Sequence, residues 1–566
     1  MSPNYLVYNK IMAGLSMGHT NNATYTAQEL LAKMWEKYEE ENIDDLRPTL
    51  TTYNTLMNVW AKHGREKASR NALSLLDELW ERTNNGDEEF HPTAITISTV
   101  IAALSNDNDR ESMMTAERIF NDAKQRAQEG ATLIQPNKIV YNSLIKLYSN
   151  QVGNSEVGKL ASRLLDEMWA EYESGNDMMR PCTFTYSSVI RSWTASECPE
   201  AFDKAKELYH DIVKREQDKF SYSRIDSIIC NSLLDCCSKS SAKDAPEYAT
   251  AFLQKMWSEY ENGNRRIRPD LVTYGNVINC WAQTKDPKAV EHSMALLSEI
   301  WERFEQGFTD WRALRFPYNS IMNVYSNSQD KEAPEKATAL LREMQELYQQ
   351  GNKNIKPNFI TYNRVMQVWA KSQHPLAAKM TLDLLDEMNQ KHANGDTSLK
   401  ANSITYTTII DTCSVNGKLE EVDKAAELLR TMWKKYEAGE RTLKPSPATY
   451  ICLMNAYGNL RLESTALKAE QLLREMWDTG DESLYPDNIV YNAVIEAWSK
   501  SKSTKAPPRV LALLDEMWSL YEKGFEDILP NVSTFRYAKE TMLLGDPKDS
   551  PEQVQALKKM ASGITS

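Results

Sequence analysis

In the stretch that starts at Tyr53, the apolar positions are Tyr53, Leu56, Met57, Trp60 and Ala61. Their spacing follows one stripe of an α-helix, and Thr51 or Thr52 stands where a hydroxyl can cap the first turn. Further on, Leu160, Ala161, Leu164, Leu165, Met168, Trp169 and Tyr172 form a second stripe with glutamates between them. This predicts an amphipathic helix with an acidic outer face. Gly175 then stops it, and Pro181 precedes a new helix start. One unit therefore reads helix, turn, helix, glycine stop, short connector, proline. No β-hairpin or βαβ pattern is visible.

That unit recurs. The tyrosine of the first helix, or its substitute, falls at Tyr8, Tyr53, Ile97, Tyr141, Tyr186, Cys230, Tyr274, Tyr318, Tyr362, Tyr406, Tyr450, Tyr491 and Phe535. The steps are 44 residues, with 45 twice and 41 once. A fixed period over a whole chain means a stacked repeat array, in which each unit buries its apolar surface against its neighbours. Seven residues after the landmark stands Trp60, Trp193, Trp281, Trp369 or Trp498 in five units, and Tyr148, Tyr325 or Tyr457 in three more. Two helical turns place that ring beside the tyrosine, so it is expected in the core.

Composition changes this picture little. The chain has 566 residues, a mean hydropathy of -0.57 and no apolar run of membrane-spanning length. Eight cysteines (Cys182, Cys198, Cys230, Cys236, Cys237, Cys280, Cys413 and Cys452) show no C-x-x-C pair. They are expected to be buried free thiols, which fits a reducing compartment. The net charge of -13 runs against the basic footprint usual for nucleic-acid binding. The chain opens almost inside a repeat and shows no presequence, so the expectation is either a protein that is not imported or a chain that lacks its true N-terminus.

The phrases Thr51-Thr52-Tyr53-Asn54-Thr55-Leu56-Met57, Ile139-Val140-Tyr141-Asn142-Ser143-Leu144-Ile145, Ile360-Thr361-Tyr362-Asn363 and Ile489-Val490-Tyr491-Asn492-Ala493-Val494-Ile495 resemble the pentatricopeptide repeat. So do the Ala-x-x-Leu-Leu-x-Glu-Met second helix and the closing basic-Pro-Asp/Asn. The departure is length, because that family's unit is shorter than 44 residues. The surplus is expected between the two helices, from Lys62 to Ala72, and at the end of the second, from Trp80 to Pro92. The resemblance implies an all-α fold, a right-handed α-solenoid superhelix of about 12–13 helix-turn-helix repeats. The array is expected over residues 1–537, with 538–566 as a C-terminal capping segment. First helices would line a concave inner wall.

The resemblance further implies binding of single-stranded RNA at one base per repeat. Base readout falls to the residue after the landmark tyrosine and the residue after the junction proline. In this chain those positions hold Asn54 with Thr93, Ser98 with Asn137, Asn142, Ser187 with Asp226, Asn231 with Asp270, Asn319 with Asn358, Asn363 with Asn402, and Asn492 with Asn531. By the family's code Ser98 with Asn137 implies adenine, Ser187 with Asp226 guanine, and Asn231 with Asp270 uracil. The three Asn-Asn pairs imply pyrimidines. Gly275 with Leu314, and Ile451 with Asp487, fit no base.

Basic residues recur before the junction proline, at Arg47, Arg180, Arg268, Lys356 and Lys444, and nine residues after the landmark, at Lys62, Lys239, Lys371 and Lys500. They are expected to meet phosphates, giving a locally positive groove on an acidic body. Catalytic chemistry is not expected. Seven histidines (His19, His63, His91, His210, His292, His374 and His392) show no metal spacing, there is no H-x-E with C-x-x-C, and no glycine-rich phosphate loop is present. The expected partner is single-stranded RNA, with proteins as a further class and no cofactor, membrane or small-molecule substrate. By resemblance the setting is the matrix of a mitochondrion or chloroplast. Two other readings stand beside this one: a protein-binding helical scaffold, and an RNA-processing factor of the RNase P type without its own nuclease domain.

Overall fold

A computed structural model of the chain describes residues 4–17, 22–41, 43–63, 68–107, 109–217, 225–284, 286–308, 315–415 and 418–542. It divides into two compact units, Met1–Gln283 and Thr284–Ser566. Among the described residues there are 25 α-helices, ten short 3-10 helices and no strand. Each unit is an all-α stack of helix-turn-helix repeats.

In the first unit, first helices such as Lys138–Asn150, Thr183–Ser196, Ser227–Lys239 and Leu271–Ala282 pack on one another in chain order. Second helices such as Val157–Glu173 and Ala245–Glu261 pack behind them, each against its own first helix and the next one. The second unit repeats the arrangement, with first helices Phe359–Lys371, Ser403–Val415, Pro447–Asn459 and Asn488–Ser501.

The landmark residues form the core. Tyr53, Tyr186, Tyr274, Tyr318, Tyr362 and Tyr491 are 0% exposed, and Trp60, Trp193, Trp281, Trp369 and Trp498 lie buried beside them, as the seven-residue spacing predicts. Burying a ring of this size stabilises by roughly 1.5–3 kcal/mol, so the tyrosine ladder alone explains much of the cohesion of each stack. The hydroxyls are satisfied across repeats. Trp169 Nε1 donates to Tyr186 Oη at 3.1 Å, and Tyr186 donates to Asp211 at 2.6 Å. Asp211 accepts from Arg215, whose guanidinium lies 4.0 Å from the Trp169 ring centre. Trp35, Tyr53, Glu78 and Arg82 close the same loop.

The long period has a physical origin. Second helices run 17 residues in most repeats, and Gly175, at φ 107, ends one of them by turning the chain into the left-handed region. The connector then makes one 3-10 turn whose last residue is a plug. Leu46, Phe90, Ile134, Met179 and Ile267 in the first unit, and Ile355, Leu399, Leu443, Leu484 and Ile528 in the second, are all buried. The extra length at the second helix's end thus carries its own core residue. The expected C-terminal cap over 538–566 lies mostly outside the described residues, as do His19 and Leu314; the last described helix is Val532–Met542.

Candidate nucleic-acid interface

Successive residues on a helix point about 100° apart. With the tyrosine in the core, the residue after it faces one flank and the residue before it the other. Stacked first helices therefore bring the +1 side of one repeat against the start of the next. The structure joins several of the predicted readout pairs this way. Asn231 Nδ2 donates to Asp270 Oδ1 at 3.1 Å, Asn363 to Asn402 Oδ1 at 3.4 Å, and Asn492 to Asn531 Oδ1 at 3.3 Å.

The post-proline residues are the N-caps of the first helices. Asp226 accepts from Ile229 N, Asp270 from Thr273 N, Asn358 from Thr361 N, Asn402 from Thr405 N and Asn531 from Thr534 N. Asn137 accepts from Ile139 N and Val140 N, and Thr93 forms a capping box with Thr96. A cap of this kind stabilises a helix by about 1 kcal/mol. In Asp270, Asn358 and Asn402 the cap oxygen is Oδ1, and it is shared with the neighbouring threonine hydroxyl. The other terminal atom is left over: an acceptor, Oδ2, in aspartate, and a donor, Nδ2, in asparagine.

The post-tyrosine residues fall into two groups. Ser98 and Ser187 are buried and return their hydroxyls to their own helix, to the carbonyls of Ile95 at 2.9 Å and Phe184 at 3.0 Å. The asparagines reach across to the next repeat instead. Asn142 Oδ1 accepts from Thr185, whereas Oδ1 of Asn54, Asn319, Asn363 and Asn492 is enclosed and has no hydrogen-bond partner among the described residues.

Beside these residues runs a feature the sequence reading did not single out. The residue two before the landmark is a large apolar side chain in most repeats, and it is exposed. In the first unit it is Leu6, Ile95, Ile139, Phe184, Ile228 and Val272; in the second it is Phe316, Ile360, Ile404 and Ile489, with exposures from 36 to 63%. Each sits one turn before the post-tyrosine residue, on the same face of its helix. The signal was present in the pattern. Two residues before the tyrosine is about 200° off the buried stripe. An apolar residue kept there in phase has no packing reason.

The basic positions are partly committed elsewhere. Arg47 pairs with Asp87 and Glu89, Lys356 with Asp396 at 2.8 Å, and Lys444 with Asp481, each in the connector of the next repeat. Arg180 lies 5.3 Å from the Tyr172 ring centre, and Arg268 also makes contacts. Lys371 donates to Asn327 at 3.0 Å and Lys239 pairs with Asp235 at 3.0 Å, both exposed; Lys500 is half-buried, donating to Asn459 and pairing with Glu496, each at 2.9 Å, and Lys62 is exposed. Arg47, Lys356 and Lys444 thus act as ties between repeats, and the helix-end lysines lie along the first-helix layer.

Cys230, Cys236, Cys237, Cys280 and Cys413 are buried and Cys182, Cys198 and Cys452 half-buried, all as free thiols. Burial pushes Cys236 up to about 11 and Cys413 and Cys452 up to about 12, so they are poor nucleophiles. Among the described residues no group of His, Cys, Asp or Glu could hold a metal ion, and no helix is long and apolar enough to cross a membrane.

A comparison with curated proteins finds no match. The family model described as PPR repeat matches residues 404–435. That segment covers nearly all of one helix pair, Ser403–Val415 and Leu419–Glu437, and the same pair recurs in phase along both units. The match at residues 404–435 supports membership of the pentatricopeptide repeat family.

Proposed function

We propose that this helical-repeat protein binds single-stranded RNA, one base per repeat, as a non-catalytic adaptor in organellar RNA processing, stability or translation. The observation that carries the reading is the recurring patch on the first helices. An exposed aliphatic or phenyl side chain stands one turn before an Asn or Ser in most repeats, and at Asn231, Asn363 and Asn492 that residue meets the cap of the next repeat. A splayed base needs an apolar surface for its face and polar atoms for its edge, and the patch offers both.

The cap also supports a simple reading logic. Uracil and guanine present an N–H on the Watson–Crick edge, which suits the free Oδ2 of Asp226 or Asp270. Cytosine and adenine present a bare ring nitrogen there, which suits the free Nδ2 of Asn137, Asn358 or Asn402, and the second N–H of Asn531 Nδ2, whose first donates to Asn488 at 3.4 Å. The short Ser98 and Ser187 leave room for a purine, and Asn231, Asn319, Asn363 and Asn492 for a pyrimidine. Phosphate contacts fall to Lys62, Lys239, Lys371 and Lys500. Of the pre-proline residues, Arg47, Lys356 and Lys444 support the strand through the repeat spacing they hold, and all five, with Arg180 and Arg268, add charge beside it.

A titration with single-stranded RNA, duplex RNA and single-stranded DNA across salt tests this reading. Single-stranded RNA is expected to bind most tightly, with affinity falling as salt rises. If no RNA binds at low salt, the net charge of -13 favours a protein-binding scaffold instead.

A further inference from the structure

The residue before the landmark tyrosine varies between threonine and an apolar side chain, and it does so in step with the preceding repeat. Where that repeat carries asparagine or threonine after its own tyrosine, the next repeat has threonine. Asn9 is followed by Thr52, Asn54 by Thr96, Asn142 by Thr185, Asn231 by Thr273 and Asn319 by Thr361. Asn363 is followed by Thr405, Thr407 by Thr449 and Asn492 by Thr534. Where the repeat carries serine, glycine or isoleucine, the threonine is gone: Ser98 is followed by Val140, Ser187 by Ile229, Gly275 by Pro317 and Ile451 by Val490.

In three pairs the threonine meets the preceding side chain; in the other five its hydroxyl meets its own N-cap, while the Oδ1 of Asn9, Asn54, Asn319, Asn363 or Asn492 lies enclosed without a hydrogen-bond partner among the described residues. All eight threonines are 0% exposed. Thr185 donates to Asn142 Oδ1 at 2.9 Å, Thr273 donates to Asn231 Oδ1 at 2.7 Å, and the hydroxyls of Thr407 and Thr449 lie 2.7 Å apart. Each threonine oxygen also accepts from the backbone N–H of its own N-cap, as Thr273 does from Asp270 and Thr405 from Asn402. Its single proton is therefore available to two acceptors, the cap oxygen and the Oδ1 of the preceding asparagine. Serine needs no such donor, because Ser98 and Ser187 bond their own helix, and there the buried position is Val140 or Ile229.

We propose that the threonine before the landmark is a specificity-determining positioning residue. At Asn142 and Asn231 its hydroxyl holds Oδ1 inward and so fixes Nδ2 as the atom turned toward the cap and the base, and in the other asparagine repeats it is the donor placed beside the enclosed Oδ1. It touches no base itself. Without it the amide is free to rotate, and a donor and an acceptor exchange places at the reading position. This rests on the RNA reading above, and the test is built so that the two can fail separately.

The test has two arms in the full chain. The first uses no RNA. Thr273→Val leaves the buried oxygen of Asn231 without its donor and is expected to lower the unfolding midpoint by about 2–4 °C. Asn231→Ser combined with Thr273→Val recreates the pairing found at Ser98 and Val140, and it is expected to recover at least half of that loss. Additive effects in this cycle overturn the proposal.

The second arm uses RNA selected by the wild-type protein, with the nucleotide read by Asn231 located through the Asn231→Ser variant. Thr273→Val is expected to reduce base preference about tenfold at that nucleotide alone, and Thr273→Ser to keep it. Equal weakening for all four bases, or no change, overturns the proposal. If the wild-type protein selects no RNA, the RNA reading fails, and the first arm still decides whether the two side chains are coupled.

Discussion

Asn231 and Asp270 lie 39 residues apart in the chain, yet Asn231 Nδ2 donates to Asp270 Oδ1 at 3.1 Å. The bond joins two neighbouring repeats and leaves Asp270 Oδ2 as the second acceptor. Asp270→Asn replaces that acceptor with a donor and keeps the cap. The expected outcome is a shift in preference from uracil toward cytosine at one nucleotide, by about tenfold, with little change in overall affinity. Competition binding between two RNAs that differ only there measures it. An unchanged preference would remove the cap from the reading mechanism.

The exposed apolar ladder separates binding from folding. Ile360, Ile404 and Ile489 are 43, 62 and 56% exposed, so replacing each with alanine should leave the unfolding midpoint nearly where it was. RNA affinity is expected to drop by roughly 1–3 kcal/mol for each base that loses its stacking surface. Loss of stability with intact binding would show that these side chains pack rather than stack.

The connection between sequence and structure was uneven along the repeat. Tyr53, Trp60 and their counterparts were legible because a three-four spacing with large rings leaves one solution, a buried helical stripe. Asn137 and Asp270 were legible as readout positions but not as N-caps: the cap was expected at Thr51 or Thr52, whereas that helix starts at Leu50 and Thr49 caps it, and only the stacking shows which oxygen the helix consumes. Ile95 and Ile228 went unread because an isolated apolar residue off the stripe looks like noise until its exposure is known. Arg47 and Lys356 were read as phosphate contacts from their repetition. Their partners, Asp87 and Asp396, sit about one repeat further on, beyond the reach of any local pattern.

The ties between repeats carry a pH signature. The Lys444 hydrogen bond, and then that of Ser483, hold the Asp481 carboxyl below the ordinary carboxylate range. A depressed carboxyl stabilises the fold above its unfolded pKa, near 3.9, and that contribution disappears as pH falls through the lower folded value. Lys444→Met is therefore expected to lower the unfolding midpoint slightly at neutral pH. The gap to the wild-type protein should close below about pH 3. A gap that stays constant with pH would assign the effect to packing of the lysine stem.

The tyrosine hydroxyls matter separately from their rings. Trp301 donates to Tyr318 Oη at 3.1 Å, and Tyr318 donates to Glu343 at 2.7 Å. Tyr318→Phe keeps the ring and strands both partners, for an expected cost of about 1–3 kcal/mol in chemical denaturation. Tyr318→Ala adds a cavity and is expected to cost about 3–5 kcal/mol. Burial, followed by the hydrogen bond to Glu343, pushes the Tyr318 phenol above its ordinary range. Its contribution is present below about pH 10 and is lost as pH rises through the higher folded value.

Selection from a randomised single-stranded RNA pool tests the central claim most directly. One base per repeat predicts an enriched sequence in which adenine and guanine stand one nucleotide apart, from Ser98 and Ser187, with uracil next to the guanine, from Asn231. Two neighbouring pyrimidines should lie on the uracil side, one nucleotide beyond it, from Asn319 and Asn363. Recovery of that order, in either strand direction, is the expected result. A pool that emerges with no enriched sequence, or with one that Ser187→Asn leaves unchanged, would contradict it.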